Sequence, residues 1–101
     1  MTESEFNRLA NAALARIEAA VDNGDAGCNR SGNVLEVEFG NGQKIIINRH
    51  DLNREIWVAA RSGGFHYALQ DGAWLSRRDG SELFGKLAEL FAEQGEKIDL
   101  A

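Results

Sequence analysis

Apolar residues recur every three to four positions near the start of the chain, which predicts a helix from about Glu3 to Asp22. Thr2 and Glu5 have the spacing of a capping box, in which the two side chains satisfy free backbone N–H groups at a helix start. The apolar face of this helix consists of Phe6, Leu9, Ala10, Ala13, Ile17, Ala20 and Val21. The Gly- and Asn-rich segment that follows ends the helical period and leaves room for one short edge strand around Cys28.

Apolar and polar residues then alternate on both sides of a glycine-containing turn in "VLEVEFGNGQKIIIN", which predicts a β-hairpin. A three-residue loop with a left-handed Gly42 pairs Val37 with Ile45. A two-residue loop instead sets Lys44 opposite the inward-facing Phe39. The three-residue loop is favoured because it buries no lysine.

Further strands and a second helix are predicted downstream. Ile56 and Val58 face inward in "EIWVAA", and the alternation resumes in "FHYAL" and in a short strand at residues 74–76. Asp79 and Glu82 have capping-box spacing and open a helix that runs to about residue 94, with Gly95 as its left-handed stop.

Only one face of the predicted sheet is apolar, so both helices must pack on that face. The predicted fold class is α+β: a two-layer α-β sandwich, with two terminal helices packed on one face of an antiparallel β-sheet. The length of 101 residues suits a single domain over residues 1–101.

Composition restricts the classes of function that are open to this chain. The formal net charge of −5 argues against nucleic acid and anionic membranes, and favours cations or a basic partner. No apolar run is long enough to span a membrane, and the polar start does not look like a signal peptide, so a cytoplasmic location is expected. The single cysteine, Cys28, excludes an intramolecular disulfide and a cysteine-based zinc site. The chain has no nucleophile elbow and no phosphate-binding loop.

Acidic residues on the first helix form the first candidate site. Glu18 and Asp22 are i,i+4 neighbours, Asp25 follows in the loop, and Glu3 lies on the same flank at the helix start. Carboxylates without histidine or cysteine offer hard oxygen ligands, which suit weak, exposed and unselective cation sites. The alternative is an ordinary solvated helix face. We refer to Glu3, Glu18, Asp22 and Asp25 as the acidic ridge.

The outer face of the sheet is the second candidate site. Strand alternation places Ile46, Asn48, Glu55, Trp57 and His66 on it. An exposed tryptophan among polar groups is typical of a protein-binding hot spot. The alternative is a tryptophan that is covered by its own neighbours. The outward-facing histidine is either an iron or haem ligand or an ordinary surface histidine.

The segment "IIINRHDLNREIWVAARSGGFHYAL" resembles the signature of the frataxin family, in its bacterial form. The Asn-Arg after the isoleucines, the Ile-Trp-Val of the next strand and the Gly-Gly-aromatic-His-Tyr after the turn all match. The resemblance extends from "SEFNRLA" to "SELFGKLAELF", and several separated motifs in the right order make it specific.

This resemblance implies the same two-layer sandwich and an iron-binding protein without enzymatic activity. Such a protein holds ferrous or ferric iron weakly on its surface and modulates iron–sulfur cluster assembly by binding the cysteine desulfurase and the scaffold protein. It implies metal positions at Glu3, Glu18, Asp22 and Asp25, and partner-binding positions at Asn48, Trp57 and His66. We expect a monomer, with iron-dependent oligomerisation left open. Two alternatives also remain open: haem handling through His66, and a ferroxidase acting at the acidic ridge.

Overall fold

The structure is a computed structural model that describes residues 2–22, 24, 26–98 and 100. Within these residues the chain forms a helix α1 (Glu3–Asp22), six strands and a second helix α2 (Leu83–Glu93). The strands are β1 (Gly27–Ser31), β2 (Val34–Glu38), β3 (Lys44–His50), β4 (Glu55–Ala60), β5 (Gly63–Gln70) and β6 (Ala73–Ser76). Among the described residues, no helix has the length and hydropathy that crossing a bilayer would require.

The six strands form one antiparallel meander in the order β1-β2-β3-β4-β5-β6. In the β2–β3 hairpin Val37 pairs with Ile45, as the three-residue loop predicts. The backbone N–H of Phe39 donates to the carbonyl of Gln43, and Gly42 has a φ of 86°, a left-handed conformation that favours glycine. This register directs Leu35, Val37, Ile45 and Ile47 to the same, buried face.

Both helices pack on that apolar face, so the predicted two-layer sandwich is confirmed. Phe6 of α1 meets Trp74 of β6 edge to face at 6.1 Å between ring centroids, and Phe91 of α2 meets Phe39 at 5.0 Å. Leu100 of the C-terminal tail is buried in the same core. Within the residues that the structure describes, no helix covers the opposite face of the sheet.

The start of α1 is capped as predicted, because the backbone N–H of Glu5 donates to the Thr2 hydroxyl at 3.1 Å. The start of α2 differs from the prediction. Its N-cap is Glu82, whose carboxylate accepts from the backbone N–H groups of Phe84 and Gly85. Asp79 instead accepts from Ser81 and closes a turn before the helix, so α2 begins three residues later than the capping-box spacing suggests.

The end of α2 agrees with the prediction. Gly95 has a φ of 79°, and the N–H groups of Gly95 and Glu96 donate to the carbonyls of Ala92 and Phe91. This pair of hydrogen bonds is a Schellman motif, which satisfies two carbonyls at the helix end.

One charged side chain crosses between the layers. Arg49 points inward from β3 and is 9% exposed. Its guanidinium donates to the side-chain oxygens of Asn7 and Asn11 on α1, at 2.5 and 2.7 Å, and pairs with Asp51 at 3.0 Å. Because these contacts satisfy the buried charge, Arg49 ties the first half of α1 to the end of β3.

Candidate functional site: the outer sheet face and the acidic ridge

The three predicted partner-binding residues form one row across the middle of the sheet. Asn48 on β3 pairs with Trp57 on β4, and Trp57 pairs with His66 on β5. Ile56 and Val58, on either side of Trp57, are buried in the core. The strand phase inferred from the sequence is therefore correct, and all three side chains lie on the outer face.

Trp57 lies between two imidazole rings. The ring centroid of His50 is 3.9 Å from that of Trp57 with an interplanar angle of 5°, and His66 lies on the other side at 4.1 Å and 9°. The three rings form what we call the histidine–tryptophan stack. Nδ1 of His50 is buried and has no hydrogen-bond partner within the described part of the chain, so stacking orients this ring.

A hydrogen bond fixes the indole within the stack. Nε1 of Trp57 donates to Oε1 of Glu55 at 2.8 Å. Glu55 lies two residues earlier on β4 and therefore on the same face. Trp57 is consequently half-buried, and the expectation of a largely exposed ring is wrong, because His50 and His66 cover both of its faces.

Sequence reasoning placed Glu55 on this face but missed its bond to the indole. It also missed His50 as a member of this surface. The signal was available, because His50 follows Asn48 by two residues on the same strand and so shares its face.

Two depressions adjoin the histidine–tryptophan stack. A shallow hollow of about 220 Å³ lies over the middle of the sheet and is lined by Asn48, Trp57 and His66 together with Ile46 and small neighbours. A larger cleft of about 510 Å³ opens beside it, towards the turn after β6, and shares His66 and Gly64 with the hollow. A partner that covers Trp57 would therefore also reach the cleft.

One acidic-ridge residue, Glu18, lies close to a basic strand residue. Glu18 and Asp22, which we call the ridge pair, occupy the last two turns of α1, whose final turn has no basic residue. Nη1 of Arg30 on β1 lies 3.8 Å from Oε2 of Glu18. This half-exposed pair is weak, but it offsets part of the repulsion between the two acids.

Glu3 does not share a cation site with Glu18 and Asp22. Glu3 stands at the opposite end of α1, fifteen residues from Glu18, which corresponds to roughly 22 Å along a helix axis. Glu3 and Glu18 therefore cannot hold the same ion. Asp25 lies outside the described residues. Over residues 2–22, 24, 26–98 and 100, no group of three or more His, Cys, Asp or Glu side chains is close enough to hold a metal ion together.

Cys28 on β1 lies near enough to the ridge pair for the two acids to affect its pKa. Partial burial raises the pKa of its thiol, and the negative charges of Glu18 and Asp22 raise that pKa further. A thiol with a raised pKa stays protonated at neutral pH and is a poor metal ligand. The donors that remain are carboxylate oxygens, which fit a weakly held hard cation on an open surface.

Taken together, the fold and these two surfaces define a small binding module with an organised aromatic sheet face and an acidic helix end. A family model described as a frataxin-like domain matches residues 1–97. The iron–sulfur cluster assembly protein CyaY of Neisseria meningitidis serogroup B is 49% identical over 104 residues, covering 100% of this chain and 97% of that protein. CyaY of Dechloromonas aromatica is 50% identical, with 99% of each chain covered.

Solved structures agree with these relatives. Frataxin from Psychromonas ingrahamii superposes with a TM-score of 0.91 at 32% identity, covering 100% of this chain and 99% of that chain. A trimeric frataxin from the yeast Saccharomyces cerevisiae has a TM-score of 0.69 at 24% identity, over 93% and 86% of the two chains, and shows the shared fold alone. The chain belongs to the frataxin family. None of these comparisons supports haem binding through His66.

Proposed function

We propose that this chain modulates iron–sulfur cluster assembly, by carrying or sensing iron at its acidic ridge and by binding the cysteine desulfurase and its scaffold protein. Membership of the frataxin family supports this role, as does the description of its relatives at about half identity as iron–sulfur cluster assembly proteins. In this proposal the chain acts by binding, and not as a catalyst, in the cytoplasm.

The observation that carries the partner-binding part is the histidine–tryptophan stack. Trp57 is held by a hydrogen bond and by two stacked rings, so its side chain loses little conformational freedom when a partner covers it. A preorganised aromatic beside a hollow is the arrangement that concentrates binding energy in protein interfaces. Asn48 and His66, in the same row, supply polar groups at the edge of that contact.

In the proposed function the chain carries iron, and the ridge pair supplies some of the ligands that iron needs. Glu18 and Asp22 supply oxygen donors without an enclosing pocket, so we expect weak binding of either ferrous or ferric iron. The nearby Arg30 reduces the local negative charge and weakens the site further. Glu3 belongs to the proposal as a separate acid that attracts cations, and Asp25, three residues after Asp22, stays in it as a predicted oxygen ligand.

The test is binding of the purified desulfurase and scaffold to immobilised protein, with and without ferrous iron. Trp57→Ala should lose most of the binding. Phe84→Ala is the matched control, because it removes a half-buried aromatic residue from α2, outside the outer sheet face. Equal binding by the parent and by Trp57→Ala would contradict the proposed role of the sheet face.

A further inference from the structure

The larger cleft arises where two strands separate. β6 ends at Ser76, which pairs with Tyr67, and the chain then turns away from β5. The part of β5 that contains Gly64 and His66 therefore faces a turn, and the space between them is the cleft of about 510 Å³. This volume lies within the range of ordinary ligand pockets.

A buried carboxylate, that of Glu55, lines the cleft. Glu55 is 8% exposed, and from the described residues its carboxylate accepts a single hydrogen bond, from the indole of Trp57 to Oε1. No basic side chain of the described residues forms an ion pair with it. A buried carboxylate is normally paired with a cation, because desolvation of an unpaired charge is costly. Glu55 therefore offers a carboxylate with which a cationic group of a partner can pair.

The rim of the cleft carries two arginines. Arg77 and Arg78 are exposed and line the cleft, and within the described part of the chain neither forms a salt bridge. Asp79 is also on the rim, and its carboxylate accepts from the N–H and hydroxyl of Ser81 at 2.9 and 2.7 Å, which fixes its position and leaves it charged. The cleft thus combines the buried carboxylate of Glu55 and the exposed carboxylate of Asp79 with two exposed arginines.

We propose that this cleft binds a segment of a protein partner in which an arginine is flanked by acidic residues. The arginine would place its guanidinium against Glu55, since a planar guanidinium matches a carboxylate in shape and charge. The flanking carboxylates would lie against Arg77 and Arg78, where complementary charge favours this segment over a uniformly basic one. The inference rests on the proposed function, because the partner that covers Trp57 also covers the cleft.

The test uses the capped tripeptide acetyl-Glu-Arg-Glu-amide, followed by the indole N–H signal of Trp57 in NMR titrations. This peptide has a net charge of about −1 at neutral pH, so the chain's overall charge of −5 does not attract it. The same peptide with citrulline in place of arginine keeps the shape and loses the charge, and we expect it to bind at least tenfold more weakly.

Two variants locate the binding. Glu55→Gln keeps an oxygen acceptor for the Trp57 indole but removes the charge, and should weaken peptide binding at least tenfold. The double change Arg77→Gln with Arg78→Gln should weaken it at least threefold. Glu38→Gln and Arg61→Gln are the matched controls, because both residues are exposed and lie outside the cleft, and both variants should bind like the parent.

The inference is overturned if the citrulline peptide binds as well as the arginine peptide, or if Glu55→Gln leaves the affinity unchanged. Parallel binding assays with the desulfurase and scaffold separate this failure from failure of the proposed function. Loss of partner binding in Trp57→Ala, with no effect of Glu55→Gln on partner or peptide, overturns the cleft alone. Peptide binding that depends on Glu55, with full partner binding by Trp57→Ala, supports the cleft and overturns the assigned partner.

Discussion

The carboxylate of Glu55 accepts a hydrogen bond of 2.8 Å from the indole of Trp57, two residues further along the same strand. This bond, together with the rings of His50 and His66 on either side, gives the indole a single orientation on the outer face. The buried residues of the same strand, Ile56 and Val58, belong to the hydrophobic core and stabilise the fold. The proposed binding residues and the core residues therefore alternate along β4, so binding and folding are testable one at a time.

Trp57→Ala should remove partner binding and leave most of the stability. We expect a loss of about 2 kcal/mol or more of binding free energy to the desulfurase–scaffold complex, as for an interface hot spot. The free energy of unfolding should fall by about 1 kcal/mol, because the variant loses stacking on His50 and His66 but opens no core cavity. Calorimetry and urea unfolding measure the two quantities. A fall of roughly 3–5 kcal/mol in stability, as for a core aromatic, would contradict this assignment.

Charge should speed the encounter with a basic partner. Glu18 and Asp22 lie on a chain of net charge −5, so raising the salt concentration should slow association with the desulfurase more than it speeds dissociation. Reversing both charges, as Glu18→Lys with Asp22→Lys, should slow association further. Stopped-flow or surface-binding kinetics over a salt series measure this effect. Association rates that do not respond to salt would mean that the contact runs through the Trp57 face alone.

The sequence predicted the fold well because strand alternation and helix periodicity are local signals. The register of the β2–β3 hairpin followed from one argument, that Lys44 is not buried, and the structure agrees. The start of α2 was missed because Asp79 and Glu82 are both good caps, and the competition between them is decided by the turn that Asp79 makes with Ser81.

The candidate site was only partly predictable, because its details depend on contacts between strands. Alternation placed Trp57 and His66 on one face, but the stacking of His50 on Trp57 requires the β3–β4 register. The pairing of Arg30 with Glu18 likewise requires the position of β1 against α1, which no pattern within either element encodes. Contacts between side chains of different elements are therefore the part of the site that the sequence pattern does not predict.

Arg49 should contribute to stability through the geometry of its guanidinium. Arg49→Lys keeps the charge but loses the planar fork that reaches Asn7, Asn11 and Asp51 together. We expect a loss of about 2 kcal/mol in the free energy of unfolding, because the side-chain oxygens of Asn7 and Asn11 lose their partly buried, charge-assisted hydrogen bonds. Urea unfolding measures it, with Arg61→Lys in an exposed turn as the control. A change no larger than in the control would show that the inter-layer contacts contribute little.

Cys28 should react slowly, and its reactivity should depend on the ridge pair. Burial and the charges of Glu18 and Asp22 raise the pKa of its thiol, so the thiolate forms at higher pH in the folded chain than in the unfolded one. The rate of iodoacetamide labelling as a function of pH measures this difference. Glu18→Gln with Asp22→Asn should move the rate profile to lower pH, but only in part, because burial is the larger cause. An unchanged profile would mean that the ridge charges do not reach the thiol.

The raised pKa of Cys28 also gives a stability effect with a definite sign. The folded state favours the protonated thiol, so this contribution is fully present below the pKa of the unfolded chain and is lost as the pH rises through the folded pKa. Cys28→Ser removes that titration. The free energy of unfolding should therefore fall less steeply at alkaline pH in Cys28→Ser than in the parent, and a parallel fall in both proteins would contradict the prediction.

A cation at the ridge pair should stabilise the fold. Asp22 is the last residue of α1 and opposes the helix dipole, at a cost of about 0.3 kcal/mol or more. Only the folded chain holds Glu18 and Asp22 one turn apart, so a bound metal should add about 2.7 kcal/mol at one hundred times its dissociation constant. Thermal melting with ferric iron, manganese and calcium measures this gain, which should be largest for ferric iron because the donors are hard oxygens.

Neutralising the two acids separates repulsion from metal binding. Asp22→Asn should raise the melting temperature of the metal-free protein slightly, whereas Glu18→Gln should leave it nearly unchanged, because it also gives up the 3.8 Å pairing with Arg30. The double variant should lose most of the stabilisation by metal. Glu93→Gln, an acid at the end of α2, is the matched control and should keep the full response. If the double variant responds to metal as strongly as the parent, iron binds elsewhere on the chain, and the ridge serves only to attract a basic partner.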